Sequence, residues 1–87
     1  MVMPTGEVTL DVSQLYSGTG TAKLADLPAY EEAVRQQVPA GAVVRLTGAG
    51  PIWLYLRIAH VLHGRAKRLL YHSPVTGDVV IFDHDPY

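Results

Sequence analysis

A small α/β (α+β) domain is the fold class that three features of this 87-residue sequence predict. Short apolar or alternating runs take turns with longer helix-period runs, in the order β-α-β-α-β-β. Glycine or proline punctuates most junctions between them. The run at residues 42 to 48, "AVVRLTG", is mostly apolar, as an interior strand is. Together they predict a small mixed sheet of about four strands with two helices. One domain spans residues 1 to 87; short right-handed connections make its first three strands parallel or mostly so, and an antiparallel hairpin is the simplest pairing of the last two.

The elements follow in chain order. "EVTLDV" (7–12) alternates Val8, Leu10 and Val12 with polar residues and reads as a half-buried strand. "SQLYSGTGTA" carries Gly18 and Gly20 and reads as a loop. "DLPAYEEAVRQQV" (26–38) reads as a helix, with Asp26 as cap, Pro28 in the first turn and Glu31 and Glu32 near the positive end of the dipole. After the second strand, Pro51 opens a second helix that runs to about His63 and is ended by Gly64. "AKRLLYH" (66–72) is the third strand, "SPVTGD" a turn, and "VVIFD" (79–83) the fourth strand. One face of so small a sheet is available to a partner subunit.

Composition bounds the function. Hydrophobic residues are 48% and charged residues 17%, as in a globular chain. A chain of this length buries only about 60–65% of its unfolded surface, so oligomerisation is a natural supplement to its core. No cysteine is present, which removes disulfides and thiolate chemistry and fits a cytoplasmic location. The N-terminus shows no secretory pattern, and the most apolar window, 52 to 62, is too short to span a bilayer and holds Arg57. No acidic residue lies between 33 and 77, while Arg35, Arg45, Arg57, Arg65, Lys67 and Arg68 do, with His60, His63 and His72. Such an interval predicts a positive field and an anionic partner, phosphate above all. A solvated cationic surface is the alternative.

The candidate site is "GAGPIWLYLRIAH" (48–60). Gly48 and Gly50 permit a sharp turn or a close ligand approach. The amides of Ile52, Trp53 and Leu54 then point outward at the positive end of the helix, where phosphate binds. A tight strand-to-helix turn explains the same glycines. Along the helix, Trp53, Arg57 and His60 form an i, i+4, i+7 stripe, opposite Leu54, Ile58, Val61 and Leu62. An indole, a guanidinium and an imidazole in a row suit base stacking, phosphate binding and proton transfer. A dimer surface centred on Trp53 is the competing reading. His72 and His84 end the third and fourth strands, where ligands of α/β sheets gather. His63 reads as a helix C-terminal residue, and no metal-ligand spacing is present.

These motifs resemble the small single-domain CRISPR-associated ring nucleases of type III systems. Residues 46 to 84 carry the likeness: "TGAGPIWLYLRIAHVL" matches a G-x-G-P-[IV]-W-L turn and helix with an Ala-His pair, here Ala59-His60, and "SPVTGDVVIFDH" matches the hairpin. The resemblance implies cleavage of cyclic oligoadenylates, cyclic tetra-adenylate first. The ribose 2′-hydroxyl attacks its phosphate and leaves a 2′,3′-cyclic phosphate, which switches antiviral signalling off. It implies His60 as an active-site residue, Gly48, Gly50, Pro51 and Trp53 as turn and platform, and His84 as the last histidine. In the relatives an aspartate and arginine, D-P-R, occupy the hairpin, and the aspartate goes with manganese-dependent activity. Here Ser73-Pro74-Val75 replaces them, with His72 just before. The expectation is therefore a metal-independent enzyme of a shorter sister family. His60, His72 and Arg57 would be catalytic, Ser73 and His84 at the substrate, and a homodimer would hold the ring across its two-fold axis. A module that binds the cyclic nucleotide without cutting it is the alternative, and a structural subunit a further one. Neither DNA nor a membrane is an expected partner.

Overall fold

The computed structural model describes residues 7–84; Asp85, acidic like Asp83, lies outside the described residues. Four strands, β1 (Glu7–Asp11), β2 (Val43–Thr47), β3 (Arg68–Ser73) and β4 (Gly77–Asp83), form one sheet in the order β1-β2-β3-β4. β1, β2 and β3 are parallel, and β4 is antiparallel to β3, as the run pattern requires. Helix α1 (Leu27–Gln37) joins β1 to β2, and α2 (Ile52–His63) joins β2 to β3.

Period-2 burial sets the two faces. Val44 and Leu46 of β2 are buried, together with their cross-strand neighbours Leu10 and Leu69. The helices close on that face through Leu27, Tyr30 and Val34 of α1 and Leu54, Ile58 and Leu62 of α2, all in one cluster. These α2 residues recur every four positions, so one stripe meets the sheet. Val61 is only partly buried. Each fully buried Leu, Ile or Val contributes roughly 1.5–3 kcal/mol. The opposite face of the sheet carries charge. Arg45 pairs with Glu7 at 3.2 Å and with Asp78 at 3.0 Å, and Arg68 pairs with Asp83 at 3.1 Å.

Three sequence expectations change. Asp26 precedes α1 but its carboxylate caps nothing, because a 3-10 turn (Leu24–Asp26) already leads the chain into the helix. Glu31 and Glu32 lie past the first turn and pair with side chains instead, Glu31 with Arg57 at 3.2 Å and Glu32 with Arg35 at 3.4 Å. Gly64 ends α2 as expected, at φ −90°, and the Arg65 and Ala66 amides close the turn on the Leu62 carbonyl. The expected loop after β1 begins with a 3-10 turn (Val12–Tyr16), capped by the Asp11 carboxylate accepting from the Ser13 amide at 2.9 Å. Among the described residues no helix is long and apolar enough to cross a membrane.

Candidate functional site

Parallel strands bring their carboxyl ends to one pole. There Thr47 ends β2 and Ser73 ends β3, and a cleft of about 570 Å³ opens between them. The turn at 47–50 forms one wall, and Tyr71, His72 and Pro74 form the other, with Tyr55 contributed by α2. Two tyrosines hold the turn in place. The Tyr55 hydroxyl donates to the Gly48 carbonyl, and the Tyr16 hydroxyl donates to the Ala49 carbonyl at 2.5 Å. The second bond ties the 3-10 turn after β1 to the glycine turn. Tyr55 and Tyr71 meet edge-to-face at 5.4 Å. Burial first, then Tyr71, Asp11 and Tyr16, pushes the Tyr55 hydroxyl above its usual value of 10.0, so it stays a donor.

The glycines answer to packing. Gly48 has φ +102°, and a Cβ there would stand 2.0 Å from Asp11 Oδ1. A Cβ on Gly50 would stand 2.9 Å from Val12 Cγ2. The close approach is to the end of β1. Of the three amides expected to face outward, Leu54 donates to the Pro51 carbonyl at 3.1 Å. Ile52 and Trp53 keep first-turn amides with no partner inside the helix. Pro51 is the extended residue before α2, with ψ 153°.

His72 acquires its chemistry from the strand beside it. It pairs with Asp78 across the β3–β4 ladder, and its Nδ1 lies 2.8 Å from Asp78 Oδ1. The other oxygen, Oδ2, accepts from Arg45 Nε at 3.0 Å. The hydrogen bond from His72 first, and Arg45 next, hold the Asp78 carboxyl below its usual value of 3.8. An ionised carboxylate only accepts, so Nδ1 carries the proton and Nε2 is left as the basic nitrogen.

The remaining expected residues do not join this cleft. Trp53, Arg57 and His60 do share a stripe of α2, turned away from Leu54, Ile58 and Leu62. Trp53 is half-buried against the core, Arg57 is engaged by Glu31 of α1, and His60 is exposed. The helix rises 1.5 Å per residue, so His60 stands about 12 Å down the axis from Ile52. Ser73 Oγ accepts from the Val75 and Thr76 amides at 3.1 and 3.2 Å, which makes it the staple of the hairpin turn. His84 follows β4 at the opposite pole, where it stacks on Phe82 at 4.7 Å and meets His63 edge-on.

The expected positive field is largely neutralised. Arg35, Arg45, Arg57 and Arg68 each meet a carboxylate from outside the acid-free interval, and Arg65 donates to the Val38 carbonyl. Among the described residues no group of three or more His, Cys, Asp or Glu is placed to hold a metal ion. Sequence reasoning missed Tyr16, Tyr55, Tyr71 and Asp78. Asp78 was within reach: a hairpin pairing residue 73 with 77 sets 72 opposite 78.

Residues 22–87, about three quarters of the chain, match the model of a family described as CRISPR-associated protein (Cas_csx3). No curated protein and no solved structure matches.

Proposed function

Because this chain belongs to the CRISPR-associated Cas_csx3 family, we propose that it is a ring nuclease that opens cyclic oligoadenylates, cyclic tetra-adenylate in particular, and so ends type III CRISPR signalling. The observation that supports this most is the carboxylate-held imidazole of His72 at the mouth of the cleft. Ring opening by the ribose itself needs one base and one held phosphate. His72 Nε2 takes the proton of the 2′-hydroxyl. The 2′-oxygen bonds to phosphorus as the bond from phosphorus to the 5′-oxygen breaks. The products are a 2′,3′-cyclic phosphate and a 5′-hydroxyl, whose proton returns from the imidazolium. Asp78 orients the ring and stabilises its cationic form, as a carboxylate behind histidine does in hydrolases. Such a base contributes on the order of 10²–10⁴-fold. The Tyr55–Tyr71 pair offers ring surface to an adenine, worth about 1–3 kcal/mol per stacked base. The amides of Ile52 and Trp53 can receive phosphate oxygens. Of the two histidines expected to be catalytic, this reading gives the base role to His72.

Incubation with labelled cyclic tetra-adenylate, with chelator or with manganese, tests it. Wild-type protein should yield linear products ending in 2′,3′-cyclic phosphate, and His72→Ala should be at least about 100-fold slower. Bound but uncut ring in every condition would instead identify a non-hydrolysing binding module.

A further inference from the structure

The open face of the sheet carries a series of charged contacts that ends on His72. Alternation puts Arg45 on that face, because its neighbours Val44 and Leu46 are buried in the core. In the ladder Arg45 lies opposite Leu70 of β3, and Leu70 lies opposite Val80 of β4. His72 and Asp78 form the next pair on the same face, nearer the cleft. The Arg45 guanidinium therefore reaches diagonally across β3 to a carboxylate on β4. Its Nε and Nη2 both lie 3.0 Å from Asp78 Oδ2. On the other side its Nη1 lies 3.2 Å from Glu7 Oε1 of β1. The second Asp78 oxygen, Oδ1, is 2.8 Å from His72 Nδ1. One residue from each strand thus stands in the series Glu7, Arg45, Asp78, His72.

We propose that Arg45 is a positioning residue for the base: its fork holds Asp78 Oδ2, which keeps Oδ1 on the Nδ1–H of His72 and leaves the lone pair on Nε2. Arg45 has this role only if His72 is the base, so the assignment rests on that reading. The Arg45 side chain is 29% exposed and that of Asp78 35%, and pairs this open add only about 0–1 kcal/mol to folding. Their effect on direction is greater. The last torsion of an aspartate is broad, so an unheld carboxylate offers His72 either oxygen or neither. A planar guanidinium with two N–H groups on one oxygen fixes that torsion, and Glu7 holds the guanidinium from behind. A neutral imidazole keeps its proton on the nitrogen whose partner accepts it. A proton on Nε2 would leave that nitrogen with no lone pair for the 2′-hydroxyl. Arg45 does not line the cleft, so its influence passes through Asp78. Charge alone predicts the reverse. Without Arg45 the whole carboxylate charge would fall to His72 and hold the same tautomer more firmly.

Two-bond proton–nitrogen NMR of the isotope-labelled full chain, at alkaline pH where imidazole is neutral, reads the tautomer without any substrate. The His72 signals, identified by their loss in His72→Gln, should place the proton on Nδ1 in the wild-type protein. Arg45→Gln should raise the Nε2–H share several-fold. It should also cut kcat for cyclic tetra-adenylate by roughly 10–100-fold at an unchanged KM. Arg45→Lys keeps the charge without the fork and should follow Arg45→Gln. Arg35→Gln, which removes an exposed ion pair with Glu32 on α1, should change neither reading. Should Arg45→Gln fail to fold by circular dichroism, Arg45→Lys decides. A wild-type tautomer in the folded Arg45 variants overturns the proposal. So does a loss confined to KM, which would make Arg45 a substrate ligand. If the tautomer moves while no protein, wild type included, opens the ring, the hold of Arg45 on His72 stands and the nuclease reading falls.

Discussion

Replacing Gly48 with alanine should cost about 2–4 kcal/mol of folding stability. Two costs combine. The backbone stands at φ +102°, where a β-carbon is strained by roughly 1–3 kcal/mol. That carbon would also lie 2.0 Å from Asp11 Oδ1 and 2.8 Å from Asp11 Cγ, so the carboxylate must leave. Its departure opens the cap on the Ser13 amide and hydroxyl, worth about 1 kcal/mol. A domain of this size holds on the order of 5–10 kcal/mol in total, so the loss is a large fraction. Urea titration followed by circular dichroism reads it. With a slope near ~1–1.5 kcal/mol/M, the midpoint should fall by roughly 2 M. Gly18→Ala is the control, since a Cβ there meets nothing within 4 Å, and it should stay within about 0.5 kcal/mol of wild type. Asp11→Ala should cost less in the Gly48→Ala background than alone, because the cap is already displaced. A midpoint unchanged by Gly48→Ala, or strict additivity of the two changes, would refute the packing account of this turn.

Other perturbations separate the two sides of α2 and probe the cleft. Ile58→Ala, at a fully buried position, should cost about 2–5 kcal/mol, while neighbouring Arg57→Ala should cost under ~1 kcal/mol because its ion pair with Glu31 is exposed on the arginine side; equal losses in denaturation would contradict the burial pattern. Asp78 is held below its usual value of 3.8, so its contribution is present above that unfolded value and disappears as pH falls through the lower folded one. Asp78→Asn should therefore flatten the acid limb of the stability curve measured by thermal unfolding, and a limb parallel to wild type would count against the bridge. In ring-opening assays Asp78→Asn should slow turnover less than His72→Ala does, with little change in KM; a loss confined to KM would assign Asp78 to binding. Tyr71→Ala should weaken binding of cyclic tetra-adenylate by about 10–100-fold through lost stacking, and unaltered affinity in titration calorimetry would remove the adenine from this wall.

The sequence by itself determined the element order, the parallel and antiparallel pairings and the stripe by which α2 meets the sheet. These depend on periodicity, on proline and glycine at junctions and on short connections, all of which are local. It also determined that Trp53, Arg57 and His60 share a side of one helix, because 3.6 residues per turn is a property of the helix alone. What lies opposite a given residue is not local. Arg57 reads as a free phosphate ligand until α1 places Glu31 against it, and the acid-free interval reads as a positive field until Glu7, Glu31, Asp78 and Asp83 arrive from outside it. Gly48 reads as room for a ligand until β1 sets Asp11 in that room. His72 reads as one histidine among four until the hairpin register puts Asp78 behind it. Pair interactions depend on distance through space, and only the folded chain brings residues 26, 33 or 38 positions apart to within 3.2 Å of each other.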